Sequence, residues 1–367
     1  MRPFTFHLPV KILFGKGRIR DLKDALPPDV RRIMIVTDKI VAEKSGALDA
    51  MLPQLANVDI NMFDKVEENP SFDTLEEGRQ MAREKKVDIV IGLGGGSPMD
   101  AAKGMAILAT NDGDMQDYMQ GTPLSADPLP VICVPTTSGT GSETTPYAVF
   151  TDQESKTKGG FAHPKIFPAV SIVDPELTYS MPESVVVNTG LDALTHAIEA
   201  YLSLDSFPMS DIFALETVRV VLEALPAAAR HDHDAMDRMA YASMLAGAAI
   251  THGGTILLHI MGYPLTVFHQ IPHGKANAIL LPEFMRFMRE RSKVQSRVKV
   301  VDDLFSAKGG IQAFVENLGI STKLSSHGVK EDELDLFADK VIVKGDVEIT
   351  PAELTKEIIA GIFRKAM

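Results

Sequence analysis

From about residue 30 to residue 177, short apolar runs rich in β-formers alternate with segments whose apolar residues recur at helical spacing. The pattern predicts strands over Arg32 to Thr37, Val58 to Phe63, Val87 to Leu93, Leu129 to Val134 and Ala169 to Val173. Between them it predicts helices over Val41 to Leu55, Ser71 to Lys85 and Pro98 to Thr110, each bounded by Gly, Pro, Ser or Asn. Strand and helix in alternation yield parallel strands covered by helices. After Pro182 the strand texture ends, and long periodic segments rich in Ala, Leu and Met predict an all-helical domain. The stretch DPELTYSMPES sets the boundary near Asp174-Pro175, giving an α/β domain over 1–177 and an all-α domain over 178–367. From Lys308 onward the chain reads as two or three surface helices.

Composition agrees with this division. A chain of 367 residues exceeds the roughly 250–300 residues over which one core keeps growing, so two domains are expected. A hydrophobic fraction of 45% and a charged fraction of 23% are those of an ordinary globular protein. The net charge of -12 repels phosphate backbones and anionic membranes, which argues against nucleic acid or a membrane surface as partner. A dinucleotide stays compatible, because backbone N–H groups and helix N-termini hold phosphates locally. The single cysteine, Cys133, lies in the apolar run Pro130 to Pro135 and reads as a buried small hydrophobe, in keeping with a reducing cytoplasm. The opening MRPFTFHLPV carries no apolar export region, and no long uncharged apolar stretch indicates a membrane span.

Two glycine-rich turns follow predicted strands. After Val87 to Leu93 comes Gly94-Gly95-Gly96-Ser97-Pro98-Met99-Asp100, read as a turn into a helix with Ser97 as N-cap, Pro98 in the first turn and Asp100 completing a capping box. Such glycines let the backbone pass close to an anion, and the helix N-terminus presents free N–H donors to a pyrophosphate. A triple glycine also serves as a plain tight turn. The second loop, Thr136-Thr137-Ser138-Gly139-Thr140-Gly141-Ser142-Glu143, favours the ligand reading, because it collects hydroxyls and glycines suited to phosphate and ribose oxygens at another strand end. Asp38, just after its strand, is placed either to accept from adenosine ribose hydroxyls, favouring NAD over NADP, or to cap a helix.

The helical domain carries a different chemistry. In Gly190-Leu-Asp192-Ala-Leu-Thr-His196, the carboxylate and the imidazole stand four residues apart on one helical face, within reach of one ion or of each other. Further on, His259 ends an apolar helix that Pro264 is expected to stop, and His273 sits beside Gly274 at the start of another. Three imidazoles and one carboxylate form a donor set that suits Fe(II) or Zn(II) and leaves room for a substrate oxygen. His231 and His233 lie in a charged connection and read as solvated, while His252 and His269 flank the ligand segments as packed polar residues or supporting donors.

The motifs GGGSPMDAAKG, PTTSGTGSE, GLDALTHAIEAY and IPHGKANAILLP, in that order and spacing, resemble the iron-dependent (group III) alcohol dehydrogenases. The opening LPVKILFGKGRIRDL resembles that family's N-terminal hairpin and glycine turn. The resemblance covers residues 5–285 and implies a Rossmann-like α/β domain followed by an all-α domain, the dehydroquinate synthase-like fold, with an active site between them. It implies that Asp192, His196, His259 and His273 hold the metal, and that Asp38, Asn69, Gly95, Gly96, Ser97, Asp100, Thr136, Thr137, Thr140, Ser142 and Lys158 surround NAD. It also implies a homodimer or higher homo-oligomer. Many members carry a histidine four residues after the third ligand, where this chain has Tyr263. A phenol, with a pKa of about 10, is a poor proton acceptor at neutral pH, so Tyr263 is expected to shape the pocket, and His269 is the remaining relay. The implied reaction is hydride transfer between a small alcohol or aldehyde and NAD(P). A polyol dehydrogenase on the same fold and a non-catalytic metal- or nucleotide-binding relative are the alternatives. Phe150, Ile256, Met261 and Phe268 are expected to give the pocket an apolar lining that favours simple aliphatic substrates.

Overall fold

Runs such as Ile33-Met34-Ile35-Val36 place large apolar side chains on both faces of an extended strand, so each strand needs cover on both sides. In the computed structural model, which describes residues 3–152 and 157–367, that cover is supplied by helices. The strands are β1 (Lys11–Phe14), β2 (Arg32–Val36), β3 (Asp59–Phe63), β4 (Ile89–Gly94), β5 (Val131–Pro135), β6 (Tyr147–Asp152), β7 (Thr157–Ala162) and β8 (Val170–Val173). All but β6 and β7 pair in parallel in one six-stranded sheet, in the order β1-β8-β5-β4-β2-β3. Around it lie α1 (Leu22–Ala25), α2 (Lys39–Lys44), α3 (Ala47–Met51), α4 (Phe72–Glu84), α5 (Gly96–Thr110) and α6 (Met115–Met119). Ile33, Ile35 and Ile91 pack on one side with Leu22 and Met51; Met34, Val36 and Val90 pack on the other with Leu75 and Met105.

The strand order reverses between β2 and β4, since the chain leaves β2 for β3 on one side and resumes with β4 on the other. At such a reversal the carboxyl ends of neighbouring strands open a crevice for ligands. Asp38 follows β2 and Gly95 follows β4, so both stand at this point.

Each predicted strand forms, with ends shifted by no more than two residues. The differences are local. The helix expected over Val41 to Leu55 is broken into α2, α3 and a 3-10 turn, because Gly46 takes a left-handed φ of 70° and Pro53 interrupts the last turn. The opening segment is no hairpin: β1 joins the sheet edge parallel to β8. The antiparallel β6–β7 pair, which the apolar pattern did not mark, contains Gly159 and Gly160 and has little continuous apolar character.

The chain divides into two compact units, His7–Pro182 and a second that unites Glu183–Met367 with Met1–Phe6. The second contains α7 (Glu183–Leu202), α8 (Pro208–Ala228), α9 (His233–Gly253), α10 (Leu257–His269), α11 (His273–Arg291), α12 (Gln295–Ser306), α13 (Ile311–Asn317), α14 (Leu334–Ile342) and α15 (Lys356–Lys365). From Gly190 to Leu202 every residue of α7 is buried, as befits a central helix packed against α8, α9 and α11. Phe4 stacks on Phe207 and Phe6 on His252, which attaches the N-terminal segment to this unit. No single helix among the described residues is long and apolar enough to cross a membrane.

Pro264 does not end its helix. It lies within α10, so His259 stands in the first turn of that helix rather than at its end. An interior proline costs about 3 kcal/mol, and burial of Leu257, Leu258, Ile260, Met261 and Leu265 outweighs it. The helices after Lys308 are amphipathic rather than superficial: Phe314, Phe337 and Phe363 are buried, and Phe337 contacts the rings of Phe268, His269 and Phe363. Phe337→Ala should therefore cost about 3–5 kcal/mol, read as a lower denaturation midpoint in urea; an unchanged midpoint would return α14 to the surface.

Candidate metal and dinucleotide sites

One helical turn separates Asp192 from His196 on α7, and the first turns of α10 and α11 bring His259 and His273 to the same place. His259 Nε2 is 3.7 Å and His273 Nε2 3.9 Å from Asp192 Oδ1, and His196 Nδ1 is 3.9 Å from Asp192 Oδ2. Ligand atoms of Asp192, His196 and His259 all lie within 4.8 Å of one another. Donors that share an ion at about 2.1 Å stand roughly 3–4 Å apart, so the spacing suits one divalent cation. His273 is at the open edge of the group, its side chain 21% exposed against 6% for Asp192.

The close approach of α11 to α7 depends on Gly274, where an added Cβ would lie 2.0 Å from the Asn188 carbonyl oxygen. Among the described residues, Asp192 Oδ1 and His259 Nε2 are buried without a hydrogen-bond partner. Each such atom costs about 1–3 kcal/mol, and both face the same point, which an ion accepting N and O donors would relieve. Burial raises the Asp192 carboxyl, but the imidazoles of His196, His273 and His259 outweigh it and hold the group well below the usual carboxylate range. Burial lowers His259, yet Glu199 and Asp192 push it up to about 9.

In the α/β unit the two glycine turns meet. A Cβ on Gly96 would lie 2.7 Å from Thr140 Cγ2, and one on Gly95 would lie 3.2 Å from Thr137 Oγ1, so a side chain at either position would push the second loop away. The Thr136 N–H donates to the Gly94 carbonyl at 2.9 Å. Ser97 Oγ accepts from the Asn69 N–H at 3.1 Å, and Lys158 Nζ donates to Asn69 Oδ1 at 2.7 Å. Thr140 Oγ1 accepts from the Ser142 N–H at 3.3 Å. The structure thus gathers Asn69, Gly95, Gly96, Ser97, Thr137, Thr140, Ser142 and Lys158 around the N-terminus of α5, where free N–H groups suit phosphate. Asp38 is the N-cap of α2, accepting from the Val41 N–H at 2.9 Å.

The expected capping box is not formed. α5 begins at Gly96, with Gly95 as N-cap and no side-chain cap, so Ser97 is already helical. Asp100 turns instead to the second loop, accepting from Ser142 Oγ at 2.6 Å and from the Val149 N–H at 2.9 Å.

Profiles of known families match both units. That of the iron-containing alcohol dehydrogenases matches residues 9–175, and that of the Fe-containing alcohol dehydrogenase family, C-terminal, matches 186–367. The chain belongs to the iron-containing alcohol dehydrogenases. It is 35% identical to 1,3-propanediol dehydrogenase of Klebsiella pneumoniae over 354 residues, covering 92% of this chain and 91% of that one. It is 30% identical to NAD-dependent methanol dehydrogenase of Bacillus methanolicus over 380 residues, covering 99% and 100%. The crystal structure of the iron-containing alcohol dehydrogenase of Thermotoga maritima superposes with a TM-score of 0.90 at 37% identity, covering 99% of each chain. Like its relatives, this dehydrogenase is an oxidoreductase that acts on alcohols.

Several side chains of this alcohol dehydrogenase stand elsewhere than the sequence pattern predicts. Phe150, Ile256 and Met261 are core residues with almost no exposed surface, so they give no apolar pocket lining, while Phe268 is partly exposed and packs on Phe337. Tyr263 does sit beside the site, its ring 5.5 Å from that of His273. His269 lies ten residues along α10 from His259, about 15 Å by helical rise, and its Nε2 meets Glu333 Oε2 at 3.1 Å. His252 Nδ1 meets the Ala248 carbonyl oxygen at 3.0 Å.

Two residues inside the quoted motifs had received no role. Glu199 follows Asp192 by seven residues, a spacing that puts both on one helical face and could have marked it. Lys103 is fully buried, and its Nζ donates to the carbonyls of Ser142 at 2.7 Å, Thr145 at 3.0 Å and Tyr147 at 2.7 Å, tying the second loop to α5. Apolar neighbours in a helical period hid it.

Glu143 closes the second loop, and burial pushes its carboxyl up to about 7. Because the folded value lies above the ordinary 4.5, the unfolded chain binds fewer protons between the two. Stability is therefore full below pH 4.5 and falls until the pH passes about 7, a loss on the order of 3 kcal/mol. Thermal melts should show Glu143→Gln gaining on the parent as pH rises from 5 to 8; an advantage independent of pH would contradict a protonated, buried Glu143.

Proposed function

We propose that this chain transfers a hydride between a short-chain alcohol, a simple diol included, and the nicotinamide of NAD, with Asp192, His196, His259 and His273 holding Fe(II), or Zn(II) as the alternative ion. The observation that carries the reading is the pair of buried atoms, Asp192 Oδ1 and His259 Nε2, without a hydrogen-bond partner among the described residues and facing one point with two further imidazoles beside it. A bound ion supplies Lewis acidity toward the substrate oxygen, which favours hydride exchange with the nicotinamide.

The chain's own residues do the rest. The α5 N-terminus, with Gly95, Gly96 and Ser97, receives the pyrophosphate, and Thr136, Thr137, Thr140 and Ser142 supply hydroxyls around it. Lys158, oriented by Asn69, adds a positive charge, while Asp100 positions the cofactor loop through Ser142. The Asp38 carboxylate at the sheet's reversal point repels a 2′-phosphate and so favours NAD over NADP. Tyr263 shapes the space next to His273. Water and ribose hydroxyls carry the proton, because His269 is held by Glu333.

Diols stand beside simple alcohols on the strength of the propanediol dehydrogenase relative. The reading extends to a homodimer or higher homo-oligomer in the cytoplasm, in keeping with one cysteine, Cys133, that is buried.

Protein reconstituted separately with Fe(II) and Zn(II) should change absorbance at 340 nm with a panel running from methanol to 1,3-propanediol and glycerol and their aldehydes. Silence across the panel would sink the reading. His259→Ala should lose metal by elemental analysis together with activity while keeping its far-ultraviolet spectrum; an active variant without metal would detach the cluster from the chemistry. For the cofactor, Asp38→Ala should lower the NAD-to-NADP ratio of kcat/KM by about tenfold, equivalent to about 1.4 kcal/mol, and an unchanged ratio would leave Asp38 as a helix cap alone.

A further inference from the structure

Glu199 is fully buried on α7, seven residues beyond Asp192, and three donors converge on it. Its Oε1 accepts from the Ile256 N–H at 2.9 Å and from the His259 N–H at 3.2 Å, while its Oε2 faces His259 Nδ1. The N-cap of α10, Ile256, has no side chain able to cap, so Glu199 caps this helix from α7. We infer that Glu199 is the positioning residue of the metal cluster, holding His259 so that Nε2 carries the ligand lone pair. The inference rests on the metal reading proposed above.

First, Asp192 and His196 belong to α7, whereas His259 belongs to α10, so the cluster is assembled only if the two helices are fixed against each other. Glu199 binds both the backbone and the ring of His259 and does this within hydrogen-bonding distance. Second, a neutral imidazole has one N–H and one lone pair. A carboxylate oxygen can only accept, so Oε2 keeps the proton on Nδ1 and leaves Nε2 facing Asp192 Oδ1.

The isosteric change Glu199→Gln separates these roles from bulk. A carboxamide has one acceptor end and one donor end. Its oxygen must stay with the Ile256 and His259 backbone N–H groups, which cannot change sides. The amide NH2 then faces Nδ1, and the ring responds by moving its proton to Nε2, where it competes with the ion.

In competition with a chelator, Zn(II) and Co(II) should bind the full-length Glu199→Gln protein 10- to 100-fold more weakly than the parent, with an altered Co(II) visible spectrum and unchanged far-ultraviolet circular dichroism. In the Zn(II)-loaded parent, nitrogen-15 NMR should show a slowly exchanging Nδ1–H on His259 that the variant lacks. Equal metal affinity with an equal spectrum would overturn the role of Glu199, as would a parent His259 carrying its proton on Nε2. If Glu199→Gln does not fold, the parent's NMR signal alone decides by the same criterion. A parent that binds neither ion would instead remove the metal reading itself, and the two failures are distinct.

Discussion

A carboxylate taken out of water is the constraint around which the helical unit is arranged. Asp192 sits on the most buried helix, and its charge is tolerable only because imidazoles from three helical segments face it. The elements that supply them are placed by unusual means: Gly274 lets α11 approach α7, and α10 tolerates an internal proline. Packing of Leu and Ile around these helices meets the cost of bringing so many polar groups indoors.

The α/β unit handles charge in the opposite sense. There the buried group is an ammonium, Lys103, surrounded by carbonyl oxygens of the loop after β5, with Asp100 beside it. Burial pulls this ammonium below its ordinary range and Asp100 opposes that shift. The glycines keep the first turn bare where the second loop leans on it, so the surface proposed for the phosphates is mostly backbone N–H. Such a surface works in a protein of net charge -12 because it does not draw on the long-range field.

The parallel strands were legible because each is a short apolar run between turn formers, and burial on both faces leaves little room for another pattern. The gathering of Asp192, His196, His259 and His273 was legible in part from residue types that are costly to bury unless paired. What escaped was decided by tertiary contact. Asp100 follows Ser97 at capping-box spacing, yet Ser142 and Val149 compete for its oxygens and win. Pro264 obeys local stereochemistry only until the packing of α10 overrides it. Phe150 and Met261 look like pocket residues in a linear reading and are core residues in space, since aromatic and aliphatic side chains carry no mark of which cavity they fill. Glu199 was hidden because an acid on a helix ordinarily means a solvated face.

The attachment of Phe4 and Phe6 to Phe207 and His252 has a genetic consequence. Since the N-terminal segment belongs with Glu183–Met367, the polypeptide passes from one unit to the other twice, near Phe6 and near Pro182. The α/β unit, His7–Pro182, is one uninterrupted stretch, whereas the helical unit is assembled from two. Recombination that exchanged only the stretch after Pro182 would separate the helical unit from its own N-terminal segment, so a swap of the helical module has to carry both segments together.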